Sequence, residues 1–169
     1  MRFGKAAPVL LLLASPLLLS AAENIRLNPR LNFQSNNFQG MLITGDKMTE
    51  GAVKGIPNYI VFYSEQCYNS KRQARTTVDL YRKYRGRIHF VVLDFNYGWS
   101  AAQEKLVRKY FGGNIPQIVI LDKNGKAVFD YTGETPEWVL EGWLDSILRK
   151  SPATPPSLDA EARPSRSGN

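Results

Sequence analysis

The sequence predicts an α/β fold in which a mixed central sheet is flanked by helices, giving a three-layer sandwich. Three observations support this prediction. A short apolar strand, a long amphipathic helix and a second apolar strand follow one another between residues 59 and 95. An Asn-Gly turn then joins two more strand-like runs, and a capped amphipathic helix is the last predicted element of the chain. The 169 residues suffice for one domain with a sizeable core, and no internal repeat is visible.

The first 22 residues have the pattern of a cleavable secretory signal. Arg2 and Lys5 precede an apolar stretch, and small residues at positions 20–22 form a cleavage site. The stretch is interrupted at residues 15–16 and is shorter than the roughly 20 residues that span a bilayer. We therefore expect an exported protein, periplasmic or extracellular, that is cleaved after Ala22 and has no stable membrane insertion. An uncleaved membrane anchor is the alternative.

Polar segments flank the predicted domain, which covers residues 41–150. Residues 23–40 contain five asparagines without a helical or strand period, and they are predicted to form an extended N-terminal lead-in. Residues 151–169 contain four prolines and almost no large apolar side chains. Burial in this segment cannot offset the entropy lost on ordering. We therefore expect a disordered Pro-rich tail.

The first strong strand is predicted at residues 59–63, a β-branched and aromatic run that is too short for a helix. Cys67 follows it, and apolar residues at helical spacing continue to about Tyr84, where Gly86 is a stop signal. Residues 88–95 form another apolar strand. Two strands joined by such a helix are expected to run parallel, with a right-handed crossover.

The next helix and hairpin have clear boundary signals. Ser100 and Gln103 form a capping box for a helix from about residue 101 to residue 111. Strands at residues 117–121 and 126–131 flank the Asn-Gly turn, which tolerates positive φ. These two strands are therefore predicted to pair as an antiparallel hairpin.

The last helix is predicted to begin with Thr135 as its N-cap and Pro136 at its first position. Apolar residues then recur at helical spacing and define one buried face. They are Val139, Leu140, Trp143, Leu144, Ile147 and Leu148. With this helix included, one core accounts for every predicted element, so no second domain is required.

Cys67 is the chain's single cysteine, so no internal disulfide forms even in an oxidising compartment. At the start of a helix, a thiol lies near the positive end of the helix dipole, and Lys71 and Arg72 are close in sequence. Both features favour the thiolate. The alternative is an inert cysteine packed in the core. Whether Cys67 is a reactive thiol or an inert cysteine depends on the residues that surround it in the fold.

Three local features accompany this element order. The strand ends in Phe62-Tyr63-Ser64-Glu65-Gln66-Cys67, Asn114-Ile115-Pro116 precedes a strand, and Gly133 follows the hairpin. With them, the chain resembles the thioredoxin family over residues 41–150. The resemblance implies a thioredoxin-like fold with Cys67 and Ser70 at the two redox positions and Ile115–Pro116 as a cis-proline loop beside the cysteine. It also implies a substrate-binding surface formed by Gln66, Tyr68, Asn69, Ile115 and Pro116.

Four positions depart from the family's working pattern. Ser70 replaces the second cysteine of Cys-x-x-Cys, and its hydroxyl cannot displace sulfur from a mixed disulfide, which leaves it only a hydrogen bond to the thiolate. Val61 and Val92 stand where many thioredoxins bury an aspartate and its lysine partner. Gln66 replaces the tryptophan that commonly precedes the first cysteine. Together these changes favour a single reactive thiol over a redox couple.

Two functions follow from this site. In the first, Cys67 forms a mixed disulfide with protein thiols or disulfides, or with a small thiol, and an external thiol releases it. In the second, the chain is a redox-inactive module that holds an extended peptide in the groove between Cys67 and Pro116. The Pro-rich tail suggests a third function, an interaction protein whose domain is only a carrier.

No cofactor, metal or nucleic-acid site is predicted. His89 is the single histidine and lies in a predicted strand, so a metal site or a Cys–His pair would require it to reach Cys67. Asp94, at the end of that strand, is expected to be a solvated carboxylate, and a carboxylate of the site is the alternative. The net charge is +7, and basic residues are concentrated between positions 71 and 87. No nucleic-acid motif accompanies them, so we expect a solvated helix face.

Overall fold

The computed structural model describes residues 22–33 and 39–149, and the predicted signal peptide and Pro-rich tail lie outside these residues, apart from Ala22. None of the described helices is long and apolar enough to cross a bilayer. The elements in chain order are β1 (Glu23–Leu27), β2 (Ile43–Asp46), β3 (Asn58–Tyr63), α1 (Tyr68–Tyr84), β4 (His89–Asp94), α2 (Ala101–Tyr110), β5 (Gln117–Leu121), β6 (Ala127–Thr132) and α3 (Glu137–Leu148).

Four strands form a mixed central sheet in the order β4-β3-β5-β6. β3 and β4 are parallel, as a strand–helix–strand unit requires, and β5 is antiparallel to both β3 and β6. The predicted parallel pairing of the strand–helix–strand unit and the predicted hairpin are therefore confirmed. The register pairs Tyr63 with Asp94, so the carboxyl ends of the two parallel strands lie side by side.

Successive side chains of β3 enter cores on opposite faces of the sheet. Tyr59, Val61 and Tyr63 pack with residues of α1, α3 and the β1–β2 pair, whereas Ile60 and Phe62 pack with α2. All six residues of β3 are buried. Two helices on one face and one helix on the other confirm the predicted three-layer α/β sandwich.

Part of the predicted lead-in belongs to the folded domain. β1 pairs antiparallel with β2 in a separate two-stranded sheet. Ile25 is buried together with Leu42 and Ile43 in the core that α1 covers. The domain boundary expected at residue 41 is therefore too late. Too few apolar residues alternate in β1 for its sequence to indicate a strand.

The start of α3 differs by one residue from the prediction. Pro136 is the N-cap and Glu137 the first helical residue. Thr135, the predicted N-cap, is buried, and its N–H donates to the side-chain carbonyl of Gln73 at 2.8 Å. Its hydroxyl donates to the carbonyl of Gly133 at 3.5 Å. These contacts hold Thr135 in the preceding loop, so its hydroxyl does not cap the helix.

Candidate active site

Cys67 is the N-cap of α1 and ends the turn that follows β3. Its backbone is extended, with φ −95° and ψ 121°. Its N–H donates to the carbonyl of Ser64 at 3.2 Å, and its carbonyl accepts from the N–H of Lys71 at 3.1 Å. The cysteine is free and partly exposed. The structure therefore places the thiol at the positive end of α1, at the surface of the protein.

The loop before β5 lies against this thiol. The Cys67 thiol donates to the carbonyl of Ile115 over 3.9 Å, and the Ile115–Pro116 peptide bond is cis, the isomer that the resemblance implies. Pro116 is buried, and its carbonyl accepts from the N–H of Gly133 at 2.7 Å. Gly133 has φ +122°, and a Cβ there would lie 3.2 Å from the Tyr131 ring. A glycine is therefore required where the loop after β6 supports the proline loop.

Ser70 lies beneath the turn and has no exposed surface. Its hydroxyl accepts a hydrogen bond from the N–H of Ser64 at 3.4 Å. This hydroxyl was expected to bond the Cys67 thiolate, whereas its hydrogen bond in the structure is to the backbone of the turn. Ser70 therefore fixes the turn from which Cys67 projects.

The other side chains of the predicted binding surface surround the cysteine. Gln66, Tyr68 and Asn69 are exposed. The guanidinium of Arg72 lies 4.5 Å from the centre of the Tyr68 ring and donates to Asn69 Oδ1 at 3.0 Å. Its Nε also donates to the two carboxylate oxygens of Glu134 at 2.8 and 2.7 Å. One side of this surface is therefore held in place by Arg72.

The two basic residues that follow Cys67 both face carboxylates. Arg72 forms an ion pair with Glu134, and this hydrogen-bonded partner raises the pKa of the guanidinium. Lys71 is only 2% exposed, and its charge faces Glu65. The expectation of a solvated basic face is therefore wrong for Lys71. The positive charge predicted beside the thiol is largely compensated by carboxylates.

Gln73 joins α1 to the loop before α3. It is fully buried, and its carbonyl accepts from the buried N–H of Thr135 at 2.8 Å. Gln73→Ala leaves that N–H without its partner, which costs about 1–3 kcal/mol. We expect a loss of this size in the free energy of unfolding, measured by urea titration. Gln66→Ala, at an exposed position, should change it by less than about 0.5 kcal/mol. Equal stabilities would contradict the role of this contact.

Asp94 is buried, so the expectation of a solvated carboxylate is wrong. It is 6% exposed, and the segment after β4 folds over it, with Trp99 Nε1 donating to its carbonyl at 2.9 Å. Glu65, in the turn before Cys67, is 1% exposed. Burial, reinforced by the nearby charge of Glu65, raises the pKa of Asp94 to about 7, although the N–H of Asn96 opposes this shift. Two buried carboxyl groups therefore lie behind the cysteine turn.

His89 lies at the opposite end of the sheet from Cys67. It pairs in register with Asn58 at the start of β3, whereas Cys67 follows the end of that strand, and six strand residues span about 20 Å. Its Nε2–H donates to the carbonyl of Gly51 at 2.8 Å, and burial lowers the pKa of the imidazole. A Cys–His pair is therefore excluded. Residues 22–33 and 39–149 contain no group of three potential metal-ligating side chains.

The contacts that join the turn to neighbouring loops were not predicted from the sequence. Asn96 Oδ1 accepts from the Ser64 hydroxyl at 2.7 Å and from the N–H of Glu65 at 3.2 Å. Glu134 pairs with Arg72. Asn96 and Glu65 are 31 residues apart in sequence, and Glu134 and Arg72 are 62 apart. No local sequence pattern marks contacts of this range.

The sheet order, the three layers and the cysteine at the start of α1 define an α/β protein of the thioredoxin-like class. The model of the thioredoxin-like domain family matches residues 45–148, so the chain belongs to this family. The thiol:disulfide interchange protein TxlA homolog of Synechocystis sp. is 29% identical over 99 residues. The match covers 58% of this chain and 53% of that relative, so the chain spans about half the relative's length.

Two solved thioredoxin structures are similar to the chain. Thioredoxin-2 of the malaria parasite, described as a component of its protein secretion machinery, is 20% identical with a TM-score of 0.48. That match covers 56% of this chain and 86% of the other. Deadhead, a germline-specific thioredoxin of Drosophila melanogaster, is 22% identical with a TM-score of 0.44. That match covers 54% of this chain and 81% of the other.

Proposed function

We propose that this chain is an exported protein that performs thiol–disulfide exchange through Cys67 alone. The observation that carries the proposal is a partly exposed thiol at the N-terminus of α1. The thiol lies against the Ile115–Pro116 loop of a thioredoxin-like domain. A relative named as a thiol:disulfide interchange protein supports the same class of reaction.

Exchange by one cysteine proceeds in two displacement steps. The Cys67 thiolate attacks one sulfur of a partner disulfide, a bond forms between the two sulfurs, and the partner's second sulfur leaves as a thiolate. An external thiolate then attacks the partner sulfur of this mixed disulfide, and Cys67 leaves as a thiolate. The products are a disulfide between the partner and the external thiol and a free thiolate on the partner's second sulfur, and Cys67 ends in its starting state.

Ser70 takes no part in either displacement. A hydroxyl is not ionised near neutral pH and is a poor nucleophile toward sulfur. Ser70 is also buried and hydrogen-bonded to the backbone of Ser64. No second thiol in the chain resolves the mixed disulfide on Cys67, so it persists until the partner's own second thiolate or an external thiolate attacks it, and the protein binds its partner covalently during that time.

The partner that Cys67 attacks is a disulfide of a protein or of a small thiol, and the second step is carried out by a protein thiol or a small thiol. We propose that it lies across the exposed side chains of Gln66, Tyr68 and Asn69 and along the loop of Ile115 and Pro116. Tyr68 is 44% exposed, and Arg72 covers its ring on one side. This surface offers an aromatic face and amide groups, which suit an extended polypeptide better than a charged ligand.

A redox-inactive peptide-binding module is the second candidate. Val61 and Val92 pair in register inside the core, where the resemblance implies an aspartate and a lysine. Ser70 provides no second thiol. In this function the same groove holds a peptide, and Cys67 contributes only packing and its hydrogen bond to Ile115.

Trapping of disulfide-linked partners tests the proposed function. Cells that express the tagged full chain are quenched with acid, free thiols are alkylated, and the purified protein is resolved without reductant. We expect adducts that disappear on reduction and are absent with Cys67→Ala. N-terminal sequencing of the same material should begin at Glu23. If both chains retain the same partners without a disulfide, the exchange proposal fails and the binding module is supported.

A further inference from the structure

A buried carboxyl pair lies beneath the turn that carries Cys67, and the exchange steps do not use it. Glu65 precedes Cys67 by two residues, and Asp94 ends β4 beside Tyr63. Their side chains are 1% and 6% exposed. Within the described parts of the chain, no well-formed hydrogen bond reaches either carboxylate oxygen of Glu65, Oδ2 of Asp94 or the Tyr63 hydroxyl, although the two carboxyl groups face each other and Tyr63 faces Asp94. Ionising both carboxyl groups there is costly, since neither is solvated.

Hydrogen bonds connect this pair to the cysteine turn. Asn96 accepts from the Ser64 hydroxyl at 2.7 Å and from the N–H of Glu65 at 3.2 Å. The N–H of Asn96 donates to Asp94 Oδ1 at 2.9 Å. The carbonyl of Ser64 in turn accepts from the N–H of Cys67 at 3.2 Å. Asn96 is therefore hydrogen-bonded both to the turn that positions the thiol and to the carboxyl group of Asp94.

The charged and titratable groups that face the pair come from three other parts of the fold. Tyr63 is on β3, Lys71 is in the first turn of α1, and Tyr97 follows β4. Burial raises the pKa of both tyrosines, so both are neutral hydroxyls at physiological pH. Lys71 offsets the charge of one carboxylate. Ionisation of the second carboxyl group would therefore leave a net negative charge behind the turn.

We propose that Glu65 and Asp94 share one proton behind the turn, and that loss of this proton slows the reaction of Cys67. The added negative charge lies near the positive end of α1 and opposes formation of a second anion there. Asp94 acts through Cys67 and is a positioning residue. This inference rests on the proposed function, because it assigns a pH dependence to the same thiol. The pair also differs in position from the family's buried aspartate and lysine, which Val61 and Val92 replace.

The rate of Cys67 alkylation by iodoacetamide tests the inference. It is measured by intact mass on the folded full chain between pH 5 and pH 9. In the wild type, we expect the rise of the rate with pH to flatten above about pH 7, where Asp94 loses its proton. Asp94→Asn should remove this inflection and raise the rate at pH 8 by about three- to tenfold, the order of effect expected when one nearby negative charge is removed.

Two further variants make the result specific. Glu65→Gln should move the inflection to lower pH, because the neighbouring charge that helps to raise the pKa of Asp94 is removed. This variant provides the test if Asp94→Asn does not fold. Asp79→Asn removes a charge from an exposed residue of α1 paired with Arg82, and it should reproduce the wild-type profile. If the Asp94 and Glu65 variants also reproduce that profile, the inference is overturned.

Alkylation needs no partner, so its outcome is separable from that of the trapping experiment. An Asp94-dependent profile without trapped partners would support the shared proton and reject the proposed exchange. Trapped partners with an Asp94-independent profile would overturn the shared proton and leave the proposed exchange intact.

Discussion

Asp94→Asn is expected to stabilise the folded protein more at pH 8 than at pH 5. The pKa of Asp94 is about 7 in the fold, compared with about 3.9 in an unfolded chain. The folded state therefore keeps this proton to higher pH. The contribution of the protonated Asp94 to the free energy of unfolding is therefore complete below about pH 4 and is lost as the pH rises through 7. The penalty from the buried carboxylate reaches about 4 kcal/mol at pH 8 and about 1–2 kcal/mol at pH 5.

Asparagine removes the charge at both pH values and keeps an oxygen for the N–H of Asn96. The free energy of unfolding of the variant, relative to that of the wild type, should therefore increase by about 2–3 kcal/mol between pH 5 and pH 8. Urea titrations of both chains at the two pH values measure it, with Asp79→Asn as the exposed control. If the difference in free energy of unfolding between the two chains is the same at both pH values, Asp94 ionises in the fold as it does in the unfolded chain.

Ser70→Cys is expected to shorten the lifetime of a mixed disulfide on Cys67 by on the order of 100-fold or more. A thiol at position 70 lies in the first turn of the helix that Cys67 caps. It can attack the Cys67 sulfur within the same molecule, which is much faster than attack by a dilute external thiol. The bound thiol then leaves as a thiolate, and an internal disulfide forms. Serine and cysteine differ by one atom, so the buried position should accept the change.

The lifetime is measured with a thionitrobenzoate adduct of Cys67, because this leaving group is coloured when released. The wild-type adduct should release colour only after an external thiol is added, whereas the Ser70→Cys adduct should release it without one. Ser70→Ala removes the hydroxyl without adding a thiol and should match the wild type. Rapid release of colour from the wild-type adduct, with no external thiol added, would contradict this prediction, because another group in the chain would then resolve the disulfide.

The central sheet and its helices were predictable because their signals are local. Residues 59–63 of β3 are an uninterrupted run of β-branched and aromatic residues, and the structure buries all of them. The capping box of Ser100 and Gln103 is present, and α2 begins at the predicted residue. Alternation, helical period and capping act over a few residues, so the sequence indicates these elements without knowledge of the rest of the fold.

The burial of charged residues could not be predicted in the same way. Asp94 is a polar residue at a strand end, a position that is usually solvated. Its burial depends on the following segment, where Trp99 donates to the Asp94 carbonyl. Lys71 belongs to a run of basic residues, and its burial depends on its position opposite Glu65. Both depend on how separate segments pack, which no local period encodes.

The site itself was predictable only in part. The position of Cys67 at a helix start follows from the strand and helix signals. Its contact with Ile115 joins residues 48 apart in sequence, and only the resemblance to thioredoxins implied it. The ion pair of Arg72 with Glu134 was not anticipated, because its two residues belong to segments with no common sequence pattern.

Incubation of the purified chain with oxidised glutathione is the most direct test of exchange through a single cysteine. Intact mass at successive times measures the product. Exchange through a single cysteine predicts one glutathionyl adduct on Cys67, formed on the folded chain and stable until an external thiol is added. A folded chain that stays unmodified, under conditions in which the urea-unfolded chain acquires the adduct, would contradict it and would mean that Cys67 is an inert packed cysteine.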